Sequence, residues 1–362
     1  MQKDFHFYGV AVLARASGFS PTQALTIAYA SQYVDDSTES ELIKVTTGGN
    51  ELRFDPVRTA HKGLDLLGAL KWSAQKRVYV PFHFLPPRRF DPAQAGHFTF
   101  VTEKGAKLGE ELLEDAFKER SPRRRLCRIG IALHAYADTW SHHGFSGRQS
   151  RLENDVENIR IFNPDTHEFD HPLMENVLFD ALPQIGHAEA GFHPDLAHEE
   201  WTYDSRRAKT VRRDNTREFL EAARRVHAVL VKLRGGPPFQ PWGALRTGFQ
   251  RLFRLRPRGG PGFGATVTLG GYARYHDREL EIRCGEWQKQ YRSWFAPRTF
   301  TYSRTAWRDA AVKGDTEWDD WSSREWDRME PLRLRKGFWD SLWVHFHRAA
   351  LRQRHLVLEG LP

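Results

Sequence analysis

Residues 131–147 read IALHAYADTWSHHGFSG and carry three histidines and one aspartate. On a helix, side chains four positions apart share a face. His134, Asp138 and His142 therefore form one stripe, with His143 next to it. Imidazoles are the commonest metal ligands, and a carboxylate adds a charge-balancing oxygen. The small residues Ala135, Ala137 and Thr139 flank the stripe. Such a stripe in an apolar helix is costly unless each member is paired or coordinates something. A hydrogen-bonded seam between helices is the other arrangement the pattern allows; a metal site is the expectation.

Further ligands must come from elsewhere in the chain. His6 interrupts the aromatics of DFHFYG. Asp35 and Asp36 close a helix expected over 20–36, where the helix dipole disfavours acids unless a cation is near. His61 lies one helical turn before Asp65. The stretch 185–201, IGHAEAGFHPDLAHEEW, holds His187, Glu189, His193, Asp195 and His198. Of these, His187 and Glu189 are the expected ligands, because Gly186 and Gly191 let the backbone approach closely. His83, in PFHFLPP, is expected to line the substrate space. Arg58 and Lys62 are placed to hold phosphate oxygens. The lone YHD at 275–277 carries little weight as a hydrolase motif.

The elements that must position these groups are mainly helical. Ser20 and Pro21 open the helix 20–36 as cap and first residue. Strand-like alternation at 42–58 suggests a hairpin or long loop. Helical periods cover 59–77, 103–119, 121–143 and 212–236, the third capped by Ser121 and closed by the glycines of HHGFSG. Residues 81–92 read as a proline-broken loop, and 148–200 as irregular around a short helix at 173–183. Three regions follow: a metal-binding helical domain over 1–236, a Gly/Pro/Arg-rich loop or linker over 237–274, and a helical extension over 275–362 packing on the core.

The order His6, Asp36, His61, then His134 and Asp138, then a nearby histidine and a downstream His and acid, resembles the zinc-dependent phospholipase C / P1-type nuclease superfamily. LHAYADTWSHHGF is also similar to the HxxxDxxxHS helix of the heterokaryon-incompatibility relatives of that group. The resemblance covers roughly residues 1–200 and implies a bacterial branch with a mainly α, multi-helix bundle and a small hairpin. It implies that His134, Asp138 and His142 are ligands from one helix, with Asp138 bridging two ions. Asp36 and His61 would serve another ion, and His6 would be the amino-terminal ligand. Asp138 and Asp36 then carry the catalysis. The second HxxxE pair of that family is absent here, with HAE at 187–189 in its stead. Its ligating N-terminal amine is not expected in this chain. Two or three divalent ions are implied, zinc first, with manganese or iron as substitutes.

Adjacent divalent ions acidify a bound water and clamp the oxygens of a phosphate ester. The expected activity is thus metal-dependent hydrolysis of a phosphodiester in a phospholipid, nucleic acid or nucleotide. A binding or scaffold protein with a structural metal is the alternative, and a di-iron oxidative enzyme a third. Composition fits a folded protein: 40% apolar, 13% aromatic. Two cysteines, Cys127 and Cys284, exclude a cysteine-rich zinc site. No apolar run is long enough to span a bilayer, and no signal peptide is evident, so a cytoplasmic location is expected. The formal charge of +8 gathers in RSPRRRLCR (120–128), SRRAKTVRR (205–213) and RLFRLRPR (251–258), which suit either an anionic partner, nucleic acid or membrane surface, or a solvated face. Trp339, Trp343 and Phe346 are spaced either for a lipid interface or for core packing.

Overall fold

The computed structural model describes residues 1–38, 43–47, 50–60, 71–171, 184–256, 269–313 and 332–362. The chain enters through a buried π-helical segment, Asp4–Gly9, continuous with helix α1, Val10–Ala16. Helix α2, Pro21–Asp36, starts as its sequence predicts. The Ser20 hydroxyl accepts from the Gln23 N–H, and the Gln23 side chain accepts from the Ser20 N–H. Strands β1, Ile43–Thr47, and β2, Asn50–Phe54, form the expected antiparallel hairpin. Helices α3, Lys107–Phe117, and α4, Pro122–Ser141, follow. Ser121 stands at the start of α4, but its hydroxyl makes no capping bond.

Strands β3, Glu157–Asn163, β4, Glu168–Asp170, β5, Glu200–Asp204, and β6, Val211–Asp214, lead into α5, Asn215–Arg234. Helix α5 is capped by Asp214, which accepts from the Arg217 N–H, and stops at Gly235 with φ +73°. Helices α6, Trp242–Phe253, α7, Leu269–Tyr291, α8, Ala306–Ala311, and α9, Leu342–Leu358, complete the helical set, with β7, Val312–Lys313, and β8, Leu332–Leu334, before α9.

Helix α4 is the axis. Every residue from Cys127 to Ser141 is buried, as a helix needs when neighbours cover it on all sides. It packs against α2, α3, α5 and α9. The closest approach is to α2: a Cβ built on Gly130 would lie 2.3 Å from the Ile27 carbonyl oxygen and 2.7 Å from Ala30 Cβ. Only hydrogen fits there, so the two backbones touch. That contact brings the carboxyl end of α2, with Asp35, alongside the His134–Asp138 turn of α4.

The fold is mainly helical, as expected, but carries more strand than one hairpin. One sheet has the order β2-β1-β8-β7, with β1 and β8 parallel; the other has the order β4-β3-β5-β6 and is antiparallel throughout. The second sheet corrects the reading of 148–200 as irregular. Its buried side chains, Ile159, Ile161, Trp201 and Tyr203, form an apolar cluster with Phe84 and Phe145. The linker reading of 237–274 is corrected in part. Helix α6 occupies Trp242–Phe253 and buries Leu245, Phe249, Leu252 and Phe253; its helical period was masked by flanking glycines and prolines. Residues 257–268 of that span lie outside the described residues. So do 173–183 and 61–70; after the latter come a short helical turn, Trp72–Ala74, and a π-helical one, Gln75–Tyr79.

Helix α9 lies against α4. Trp343 and Phe346 are fully buried there, while Trp339 remains exposed, so two of the three aromatics serve packing rather than an interface with lipid. Among the described residues no helix is long and apolar enough to cross a membrane.

Substituting Gly130→Ala should lower stability by about 2–3 kcal/mol through overpacking. Urea unfolding checks this. A variant as stable as the parent would mean that the α2–α4 contact is looser than described.

Candidate metal centre

Eight of the chemistry-bearing side chains converge on the α2–α4 seam, and they fall into three groups, the first two sharing His134. His6, His134 and Asp138 form one; Asp35, His83 and His134 a second; His142, His187 and Asp195 a third. In each group one ligand atom per residue lies within 4.8 Å of the others. The stripe on α4 is thus one wall of the centre. His134 and Asp138 stand on its last two turns, and His142 follows directly after the helix, where its N–H still donates to the Asp138 carbonyl.

Asp138 is the hub. Its Oδ1 lies 3.0 Å from His6 Nε2 and 2.8 Å from the Met1 amine. Its Oδ2 lies 3.2 Å from His134 Nε2, 3.4 Å from His83 Nδ1 and 3.6 Å from His142 Nδ1. Asp195 has the same two-sided character: Oδ1 is 3.1 Å from His142 Nε2 and Oδ2 is 3.4 Å from His187 Nε2. Asp35 Oδ1 is 3.5 Å from His134 Nε2 and 3.9 Å from His83 Nδ1. The rings of His6 and His134 stack at 3.8 Å.

The amine of Met1, against expectation, lies within this centre. It donates to Asp138 Oδ1, to Asp195 Oδ1 at 2.7 Å and to Ser141 Oγ at 3.0 Å. Burial works against its charge, but the two carboxylates outweigh burial and raise it to about 11.

Three of the imidazoles have their tautomers fixed by backbone. His83 Nε2–H donates to the Thr59 carbonyl at 2.9 Å, His142 Nδ1–H to the His83 carbonyl at 2.8 Å, and His187 Nδ1–H to the Gly191 carbonyl at 2.9 Å. In the neutral ring each remaining nitrogen is a lone pair, and each points at a carboxylate oxygen of Asp138 or Asp195. Two electron-rich atoms face each other in that arrangement unless a proton or a cation lies between them. Metal-bound histidines typically carry this kind of backbone partner on the far nitrogen. Among the described residues His6 and His134 lack one: both Nδ1 atoms are buried without a hydrogen-bond partner there.

The charge balance follows from burial. It holds His134 and His187 down to about 4, and it lowers His6 as well, so these three rings are neutral at pH 7. His83 is raised: burial opposes its charge, while the bond to Asp138 and the proximity of Asp35 overcome it. Asp138 and Asp195 stay well below the usual carboxylate range, because the Met1 ammonium and the neighbouring histidines outweigh burial. Asp35 is raised, chiefly by loss of hydration.

The chain belongs to the Family of unknown function (DUF6765). The family's model matches residues 1–361, so the membership covers every ligand-bearing segment. No curated protein and no solved structure matches the chain.

Several expected residues stand elsewhere. Asp36 turns to the other side of α2, where it accepts from Tyr302 Oη at 2.6 Å and from Gln32 Nε2; neighbours on a helix diverge by about 100°, so Asp35 alone faces the centre. His143 pairs with Glu218 at 3.0 Å. Glu189 accepts from the Val156 N–H and from Gln184, holding the loop rather than a metal. Arg58 offers its carbonyl to Arg354 and makes no ion pair among the described residues. His61 and Lys62 lie outside the described residues. His83, expected to line substrate space, stands within the cluster beside Asp35 and His134.

Asp195 is the member of the cluster that spacing did not select. A 3-10 turn, His193–Asp195, presents it. Asn215 donates to the carbonyls of His193 and Leu196, and Thr216 to that of Ala197. The density of His and acid around HPD was the available signal. Arg213, fully buried, donates to the carbonyls of Trp140 and Ser141, steadying the end of α4 just before His142. The loop behind His83 is held from two sides. Thr59 donates through its N–H to the Ser37 carbonyl and through Oγ1 to that of Val34. The Val57 N–H donates to His347 Nδ1 on α9 at 3.0 Å.

Protein purified without added metal and assayed by elemental analysis should retain divalent ion, and His134→Ala should lose most of it, while His143→Ala and Glu189→Gln keep it. Equal losses in all three would place the metal elsewhere. His347 gives a pH test. Burial lowers its folded value to about 3 against the ordinary 6.5, so the unfolded chain binds the extra proton between those values. The stability it contributes is complete above pH 6.5 and falls as pH drops toward 3, by about 1.4 kcal/mol per pH unit. His347→Gln, which can still accept from Val57, should flatten that slope in urea titrations; an unchanged slope would refute the assignment.

Proposed function

We propose that this centre holds divalent cations, zinc before manganese or iron, and hydrolyses a phosphodiester. The observation that carries the reading is the set of three imidazoles pinned through backbone carbonyls with their free nitrogens aimed at carboxylates. The donor set fits: five imidazoles and three carboxylates suit a borderline cation of this kind. The neutral rings of His6, His134 and His187 add no positive charge beside Asp138 and Asp195, which divalent ions would supply. The likeness of the α4 stripe to zinc-dependent phospholipase C and P1-type nucleases points the same way.

His6, His134 and Asp138 would hold one ion, Asp35, His83 and His134 a second, and His142, His187 and Asp195 a third; sharing of His134 makes two a sufficient number. Bound ions supply a water acidified toward neutral pH and positive charge opposite the phosphate oxygens. The chain's own residues do the rest. Asp138 and Asp195 each offer two oxygens to different histidines, which fixes the spacing of the groups. Thr59, His83 and Gly191 orient the rings through their carbonyls. His6, His134 and Asp138 exclude water from the inner side, where all three side chains are essentially inaccessible.

The outer side is open. Asp35 is 32% exposed, and His83, His187 and Asp195 are each partly exposed. A substrate would approach over that rim, which favours an enzyme over a scaffold with a closed structural site. The full burial of the His6 group favours a structural role for an ion held there, alongside a reactive one at the rim.

A chromogenic bis-phosphodiester should be turned over by the metal-loaded protein and not after chelation. Asp35→Asn and His187→Ala should each cost at least about a hundredfold, the usual scale for losing a group that holds a metal or its partner, with circular dichroism unchanged. Metal retention without turnover on this ester, on phospholipids and on nucleic acids would leave the structural-metal reading standing and the hydrolase refuted.

A further inference from the structure

A second concave site lies apart from the metal centre, between α5 and α6. Its cavity measures about 660 Å³, within the range of pockets that take a small organic ligand. Four arginines line it, Arg217 and Arg224 from α5, Arg246 from α6 and Arg254 directly after α6. Arg217 and Arg224 are seven positions apart and share a face of α5, while Arg246 on α6 and Arg254 at its end reach the groove from the other side. All four are exposed, and none makes an ion pair with a carboxylate among the described residues. Trp242, partly buried, forms part of the wall. Asp214 and Glu221 also line it. Asp214 is already engaged as the cap of α5, and the balance of the lining is positive by two charges.

Four guanidinium groups held around one concavity without carboxylate partners repel one another. An anion with several charges relieves that, and guanidinium forks match phosphate oxygens in geometry. We propose that this groove binds a small polyphosphate, a ligand with two or more linked phosphates, such as inorganic triphosphate or a nucleoside triphosphate. The concavity disfavours a lipid surface, which would meet a convex or flat face. The concentration of charge in a single groove disfavours a nucleic-acid strand, which would need a track. The proposal is independent of the hydrolase reading. The two sites are nonetheless joined by structure, since Thr216 lines the groove and holds the carbonyl of Ala197, two residues beyond Asp195.

The test is calorimetric titration of the full chain, metal-free and in chelator, with inorganic triphosphate and with ATP. Saturable one-to-one binding is expected, weakening with salt as charge pairing requires. The double variants Arg246→Ala/Arg254→Ala and Arg217→Ala/Arg224→Ala should each weaken it by at least about tenfold, or about 1.4 kcal/mol. These arginines are exposed, so folding is retained, and circular dichroism verifies it. Arg125→Ala, an exposed arginine outside the groove, and His134→Ala in the metal centre should bind as the parent does. No binding of either probe at millimolar concentration overturns the proposal. So does binding abolished by His134→Ala and untouched by the arginine variants, which would place the phosphates at the metal centre. Binding of a single-stranded oligonucleotide but of neither small probe would overturn it in favour of a strand. Because metal-free protein is used, a failed hydrolase assay leaves this result intact, and the reverse.

Discussion

A carboxylate stripped of water must have positive charge close by, and Asp138 is stripped of water near the end of a helix that four others cover. Burying an ion costs several kcal/mol after relaxation. The rest of the centre can be read as the answer to that cost. The π-helical entry segment brings His6 and the Met1 amine to one oxygen. The seam with α2 brings Asp35, and the loops at 83 and 187–195 close the remaining sides. The Met1 ammonium that answers Asp138 also meets Asp195, so the constellation extends to that loop instead of ending at the helix. Helix α4 tolerates this because its other faces are packed with Ile129, Ile131, Leu133 and Trp140.

The α4 stripe was legible because helical spacing is a local rule. His6 and His187 were legible as polar residues in costly company. The choice between Asp35 and Asp36 was not, since adjacent residues carry identical local signals and only the docking of α2 decides which one faces inward. Asp195 lies in a loop whose position depends on Asn215 and Thr216, contacts that no periodicity encodes. His83 sits in a proline-broken stretch, where no helical face could be assigned. At the level of fold, the predicted helices 20–36, 103–119, 121–143 and 212–236 each occur within a few residues of the expected bounds. The second sheet and α6 did not announce themselves, because short strands and a Gly/Pro-rich surround dilute the pattern.

The feature that gives the centre its chemical direction was invisible to sequence for a simple reason. Every residue has a carbonyl, so nothing distinguishes those of Thr59, His83 and Gly191 until the backbone is placed. Yet these three decide which nitrogen of each ring is free. His83 contributes twice, orienting its own ring through Thr59 and that of His142 through its carbonyl. A side-chain substitution at position 83 leaves that carbonyl in place, so it removes one ring and keeps the orientation of the other.

The bond from Val57 to His347 spans 290 residues of sequence. During synthesis, which proceeds from the amino terminus, residues 6–195 leave the ribosome well before α9 exists. Thr59 is then without the brace that α9 supplies through Val57, and the ring of His83 is correspondingly less constrained. A nascent chain thus presents the ligands before it presents their final orientation. On the proposed reading, tight and selective capture of a metal would belong to the finished molecule rather than to the growing polypeptide.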